Sequence, residues 1–159
     1  MAPNEALTPA IIALCPCGAS SIAIEQMPKV RFYCHCTICQ SVYPGNYGDA
    51  TLMLAKKVKV QTPGTIEFTR HLQKGGLERG TCKSCKHPVM ALLDGPGMPQ
   101  LAFVPAAMIP EQADKPKSAR HIFYGTRSED VADNLPKTNG DKASMLVFTP
   151  SVLRVVFSG

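Results

Sequence analysis

Seven cysteines fall into three tight clusters: Cys15-Pro-Cys17-Gly18, Cys34-His35-Cys36-Thr-Ile-Cys39 and Cys82-Lys-Ser-Cys85. Thiolates are soft metal ligands, and a CxxC or CxC turn lets both of its sulfurs reach one ion about 2.3 Å away. Two such pairs complete a tetrahedron. The natural partition is therefore a closed, structural zinc held by Cys15, Cys17, Cys82 and Cys85, tying the N-terminal segment to a hairpin far downstream. The remaining trio, Cys34, Cys36 and Cys39, cannot close a tetrahedron by itself. Three protein ligands with an exchangeable fourth position are what a catalytic zinc requires, so two zinc ions per chain are expected, the second of them labile. Such an ion favours the thiolate form of an arriving thiol or acidifies a bound water, which points to chemistry at a thiol or a carbonyl. The rival readings are a redox dithiol for the pairs and, for the trio, a structural site with a fourth protein ligand or metal-free thiols. His35 lies between two of the trio's cysteines, but in extended backbone its side chain points to the opposite face, away from their ion. His71, His87 and His121 carry no motif of their own.

The elements that must position these thiols are short. The chain has 159 residues, 45% of them hydrophobic and 18% charged, the composition of one ordinary globular domain rather than a disordered or fibrous chain. Fourteen prolines and 12 glycines punctuate it too often for long helices and favour strands joined by turns. Residues 21–26 and 30–34 read as strands around the turn residue Pro28, and residues 41–49, with Pro44, Gly45, Asn46 and Gly48, read as a loop. Residues 50–60 read as one or two strands in which Lys57 and Lys59 form a solvated face. Residues 65–73 and 77–82 flank Lys74-Gly75-Gly76 as a hairpin that ends at a cysteine pair. Residues 88–93 and 101–104 form a further pair, 121–124 one more strand, and the apolar runs 145–148 and 152–157 around Pro150 are strand or helix.

The 17 basic and 12 acidic residues leave a formal charge of +5. Metal-bound thiolates would lower it to about +2, so the basic excess does not argue for a nucleic-acid partner. There is no long basic tail and no interleaving of aromatic with basic residues. No segment reaches the ~18 apolar residues that span a bilayer. The stretch before Cys15 lacks both the basic start and the long apolar core of an export signal, so a reduced, cytoplasmic setting is expected.

Cys15-x-Cys17-Gly18, Cys34-His35-Cys36-x-x-Cys39 and Arg79-x-x-Cys82-x-x-Cys85 followed by an apolar strand resemble the glutathione-dependent formaldehyde-activating enzymes, also called S-(hydroxymethyl)glutathione synthases, a family that includes centromere protein V. The resemblance runs from about Leu14 to Pro136 and includes His121-Ile-Phe and Asp133-Asn-Leu-Pro136. It implies a mainly β, Mss4-like β-tent of short antiparallel strands stapled by zinc, with a core of about 14–136 and an extension over 137–159. It also implies the same division into a four-cysteine structural zinc and a three-cysteine catalytic zinc. The activity implied is that of a carbon-sulfur lyase, joining glutathione or a related thiol to formaldehyde as an S-hydroxymethyl adduct. The alternative is a non-enzymatic zinc-stabilised binding module or glutathione carrier. Methionine sulfoxide reduction on a related fold is disfavoured because every cysteine is already assigned. Family members commonly carry Arg after the trio and Gly-Thr or Gly-Ser after the last pair; this chain has Gln40 and Lys86-His87, and no tryptophan. Arg31, Arg70 and Arg79 are candidates to meet substrate carboxylates, against a plainer reading as surface charges.

Overall fold

The structure is a computed structural model and describes residues 9–73 and 76–158. Lys74 and Gly75, in the turn expected between the hairpin strands, lie outside the described residues. The chain is mainly β. Its elements are β1 (Ile11–Leu14), β2 (Ser21–Ile24), β3 (Val30–Cys34), α1 (Thr37–Val42), β4 (Gly48–Leu54), β5 (Val58–Val60), β6 (Ile66–Arg70), β7 (Glu78–Cys82), β8 (Pro88–Leu93), β9 (Leu101–Pro105), β10 (His121–Ile122) and α2 (Asp141–Phe157).

Seven strands form one sheet in the order β10-β3-β4-β9-β8-β7-β6, and three form a smaller sheet in the order β1-β2-β5. Every neighbouring pair is antiparallel except β10 with β3. Side chains alternate across a strand, so the large sheet has two apolar faces. On β4 and β9 the residues Ala50, Leu52, Leu54, Leu101 and Phe103 point to one core, while Met53, Ala102 and Val104 point to the other. The first core is roofed by α2 through Phe148 and Val155, and the second by Ala13, Ile22 and Ile24 of the small sheet. The result is three layers: helix, large sheet and small sheet.

The structure departs from the sequence reading in several places, adding strand β1 at Ile11–Leu14, and it resolves one point left open. The segment after the trio is not all loop: Thr37–Val42 is helical because the Cys36 sulfur serves as its N-cap, accepting the Cys39 N–H at 3.3 Å. Lys57 belongs to a single helical turn, Ala55–Lys57, rather than to the strand; Lys59 is solvated as expected and pairs with Glu25 at 2.6 Å. The last strand stops at Ile122, because Phe123 takes a left-handed conformation with φ of 54°. The two apolar runs near the C-terminus are one 17-residue helix that continues through Pro150. That helix is held to the residue after β10 by the buried Ser144, whose hydroxyl accepts the Phe123 N–H at 2.8 Å.

Candidate metal centres

The turns that follow β1, β3 and β7 bring the seven cysteines into two groups. Cys15, Cys17, Cys82 and Cys85 place their sulfurs within 4.8 Å of one another, as do Cys34, Cys36 and Cys39. Both groups are those expected from spacing. They also lie on opposite faces of the large sheet, a relation the sequence did not reveal: Cys34 and Cys39 pack in the core under α2, Cys15 and Cys82 in the core under the small sheet.

Each half of the four-sulfur group is a tight knuckle. The Gly18 N–H donates to Cys15 O at 2.9 Å, and the Lys86 N–H donates to Cys82 O at 2.8 Å. The residue closing each knuckle is left-handed, Gly18 at φ of 77° and Lys86 at 60°. The Cys15 and Cys17 sulfurs are 3.4 Å apart, and those of Cys17 and Cys82 are 3.8 Å apart. Sulfurs bound about 2.3 Å from a central zinc sit about 3.8 Å from each other in a tetrahedron, so the donors fit that ion in type, number and separation.

The trio is built from the end of β3 and the start of α1. Cys34 and Cys39 are buried and Cys36 is partly open. Hydrogen bonds from Cys34 and Cys39, together with the Cys39 backbone N–H and the charge of Arg79, hold the Cys36 thiol far below its ordinary range. The same contacts with Cys36 and Cys39, with burial, push Cys34 up. Arg79 is buried at 9% exposure, and its Nη2 points at the Cys39 sulfur from 3.8 Å. It is not the surface charge that the plainer sequence reading allows. Arg31 is engaged by Asp49 through two bonds of 2.8 and 2.7 Å, and Arg70 by Glu78 at 2.9 Å, so neither extends an unpaired guanidinium towards a substrate.

His35 stays out of the trio's ligand group, as the extended backbone requires. It is instead the most heavily fastened residue of the site. Its N–H donates to Ile122 O at 3.0 Å, and its carbonyl accepts from Gln40 Nε2 at 2.6 Å and Thr126 Oγ1 at 2.9 Å. Gln40 also donates to Thr126 O at 2.7 Å, so the residue where the family commonly has Arg clamps α1 to the turn after β10. The His35 ring is 1% exposed and lies against Tyr47 and Tyr124. Its Nε2 is 2.8 Å from His121 Nδ1, and His121 Nε2 is 2.8 Å from Asp133 Oδ2. Burial, reinforced by His121, pulls His35 down to about 4 and keeps it neutral. The chain of His35, His121 and Asp133 escaped the sequence reading, in which His121 carried no motif. Its only signal was the presence of His121 and Asp133 in segments similar to the family's C-terminal portion. His87 donates its Nδ1–H to Pro88 O at 2.8 Å, and His71 is exposed.

Beside the trio, the ring of Tyr43 packs over Gly48, where an added Cβ would meet it at 3.1 Å and Cys39 Cβ at 3.3 Å. Tyr43 also walls an open cleft of about 400 Å³, completed by Asn46, Tyr47, Asp49, His87 and Pro105. Among the described residues, no helix is long and apolar enough to cross a membrane.

These features define a mainly β protein with one four-thiol and one three-thiol group, each able to hold a metal ion. The family model of the glutathione-dependent formaldehyde-activating enzymes matches residues 10–126, and the chain belongs to that family. Among curated proteins, none matches the chain.

Proposed function

We propose that the protein is a zinc-dependent carbon-sulfur lyase-type enzyme that joins glutathione, or a related small thiol, to formaldehyde. Cys15, Cys17, Cys82 and Cys85 are read as ligands of a structural zinc, and Cys34, Cys36 and Cys39 as ligands of a catalytic one. The observation that carries this reading is the three-sulfur group to which, among the described residues, no further His, Cys, Asp or Glu adds a ligand atom. Zinc bound there would supply a positive charge that favours the thiolate form of an arriving thiol.

The chain's own residues do the positioning. The cap from Cys39 N–H to Cys36 and the clamp of Gln40 and Thr126 on His35 O fix the turn that presents the three sulfurs. Tyr43 and Cys39 both pack against Gly48, and the cleft that Tyr43 borders is read as the place for the thiol's body. In the reaction the thiol sulfur bonds to the carbonyl carbon, the carbonyl π pair moves to oxygen, and the proton lost by the thiol ends on that oxygen. Holding the two reactants together is the main demand, because thiols add to formaldehyde unaided. The reading extends to a cytoplasmic enzyme with no nucleic-acid partner, in keeping with its modest net charge once thiolates are counted.

Incubating zinc-loaded protein with glutathione and formaldehyde, and following adduct formation, tests it. A rate above the protein-free blank, abolished by Cys36→Ser, is expected; a rate equal to the blank would reject the activity.

A further inference from the structure

Arg79 presents a charge problem that the sequence does not announce. A guanidinium taken out of water carries a desolvation penalty of several kcal/mol unless an anion and hydrogen bonds compensate it. The other engaged arginines have carboxylates: Arg31 has Asp49, Arg70 has Glu78, and Arg127 has Asp130. Arg79 is more buried than these, and among the described residues no carboxylate lies within ion-pair distance of it. What it reaches is the Cys39 sulfur. Three thiolates on a divalent ion leave one net negative charge, which one guanidinium cancels. The four-thiolate group would carry a net charge of −2, and among the described residues no buried arginine packs in its core.

The strand explains how one residue can be specific for one group. In β7, Arg79 pairs with Ala91, which belongs to the core under α2, and Gly80 pairs with Met90, which belongs to the opposite core. Cys82 follows on that second face as a member of the four-sulfur group. One strand thus sends a cation to the trio and a ligand to the tetrad.

We infer that Arg79 is the built-in counterion of the three-thiolate centre, raising its affinity for a divalent metal and for an anionic thiol beside it, while leaving the four-thiolate centre unaffected. This rests on the reading of the trio as a metal centre. Its fixed charge in a buried position also distinguishes it from a screened surface lysine.

The test is zinc release from the loaded, full-length protein by a graded chelator, with Cys36→Ser marking which of two steps belongs to the trio. Arg79→Met is expected to weaken the trio's ion at least tenfold and leave the other within twofold. Arg79→Lys, which keeps the charge and serves as the second variant should the methionine protein fail to fold, is expected to retain most of the affinity. Equal loss of both ions in a folded Arg79→Met, or loss in Arg79→Lys as large as in Arg79→Met, would overturn the counterion role in favour of packing. Two ions bound with unchanged affinities in Arg79→Met would overturn the inference and leave the functional reading standing. A single ion bound per wild-type chain would overturn both.

Discussion

His35 Nε2 and His121 Nδ1 lie 2.8 Å apart, joining residues 86 positions apart in the chain inside the buried edge of the sheet where β10 runs parallel to β3. Asp133 sets the direction of the bond. A carboxylate only accepts, so a singly protonated His121 carries its proton on Nε2 and offers a lone pair at Nδ1, and neutral His35 must donate from Nε2. The His35 Nδ1 lone pair is then left facing inward with no partner among the described residues.

His121→Ala is expected to destabilise the zinc-loaded protein by roughly 2–4 kcal/mol, because it strands the buried His35 N–H and opens a cavity at a fully buried site. Urea unfolding measures this, and a loss below about 1 kcal/mol would mean that the bond contributes little.

Asp133 sets an acid limb to stability. Lys137 first, and His121 next, hold its carboxyl down to about 2. A group whose folded pKa is depressed contributes stability that is fully present above its unfolded pKa, about 4, and is lost as pH falls through the folded value. The stability gap between wild type and Asp133→Asn is therefore expected to stay constant from pH 7 to about 4 and to close between about 4 and 2. Paired urea titrations across that range check it, and a gap independent of pH would show that Asp133 titrates normally.

Lys86 closes the second knuckle in a left-handed conformation at φ of 60°, where the family commonly has glycine and where Gly18 closes the first knuckle. A side chain costs about 1–2 kcal/mol there, partly offset by the greater unfolded-state freedom of glycine. Lys86→Gly is expected to raise stability by roughly 0.5–1 kcal/mol, since the exposed Lys86–Glu67 pair at 3.7 Å contributes almost nothing. A lower thermal midpoint for the variant would contradict this.

Phe148 joins α2 to the sheet. Its ring meets Phe32 edge-on at 4.6 Å between centroids and stacks on Phe103 at 6.5 Å. Phe148→Ala is expected to cost about 3–5 kcal/mol, as for other large core truncations. Denaturant unfolding would show a smaller effect, below about 1 kcal/mol, if the helix merely rested on the surface.

What was legible in the sequence is what depends on neighbours along the chain. The Cys15-Cys17, Cys34-Cys36-Cys39 and Cys82-Cys85 clusters reach their groups through local turns, and the strands from Val30 to Val104 announce themselves by β-rich runs between breakers. Helix α1 was hidden because its N-cap is Cys36 rather than Ser, Thr or Asp, so the residue read as a ligand also starts the helix. Helix α2 was ambiguous because Pro150 splits an apolar run that fits either periodicity. The burial of Arg79 and the His35–His121 contact depend on which strands become neighbours, β7 beside β8 and β10 beside β3, and residue spacing carries no such information.

Zinc-edge X-ray absorption on the two-ion protein tests most directly whether the three-sulfur group is open. Averaged over both ions, about 3.5 sulfur neighbours per zinc are expected, the mean of four and three, with a lighter oxygen or nitrogen neighbour making up the difference and the sulfur count rising to about four when glutathione is added. Four sulfurs per zinc before any thiol is present, or a lower count that glutathione leaves unchanged, would contradict it.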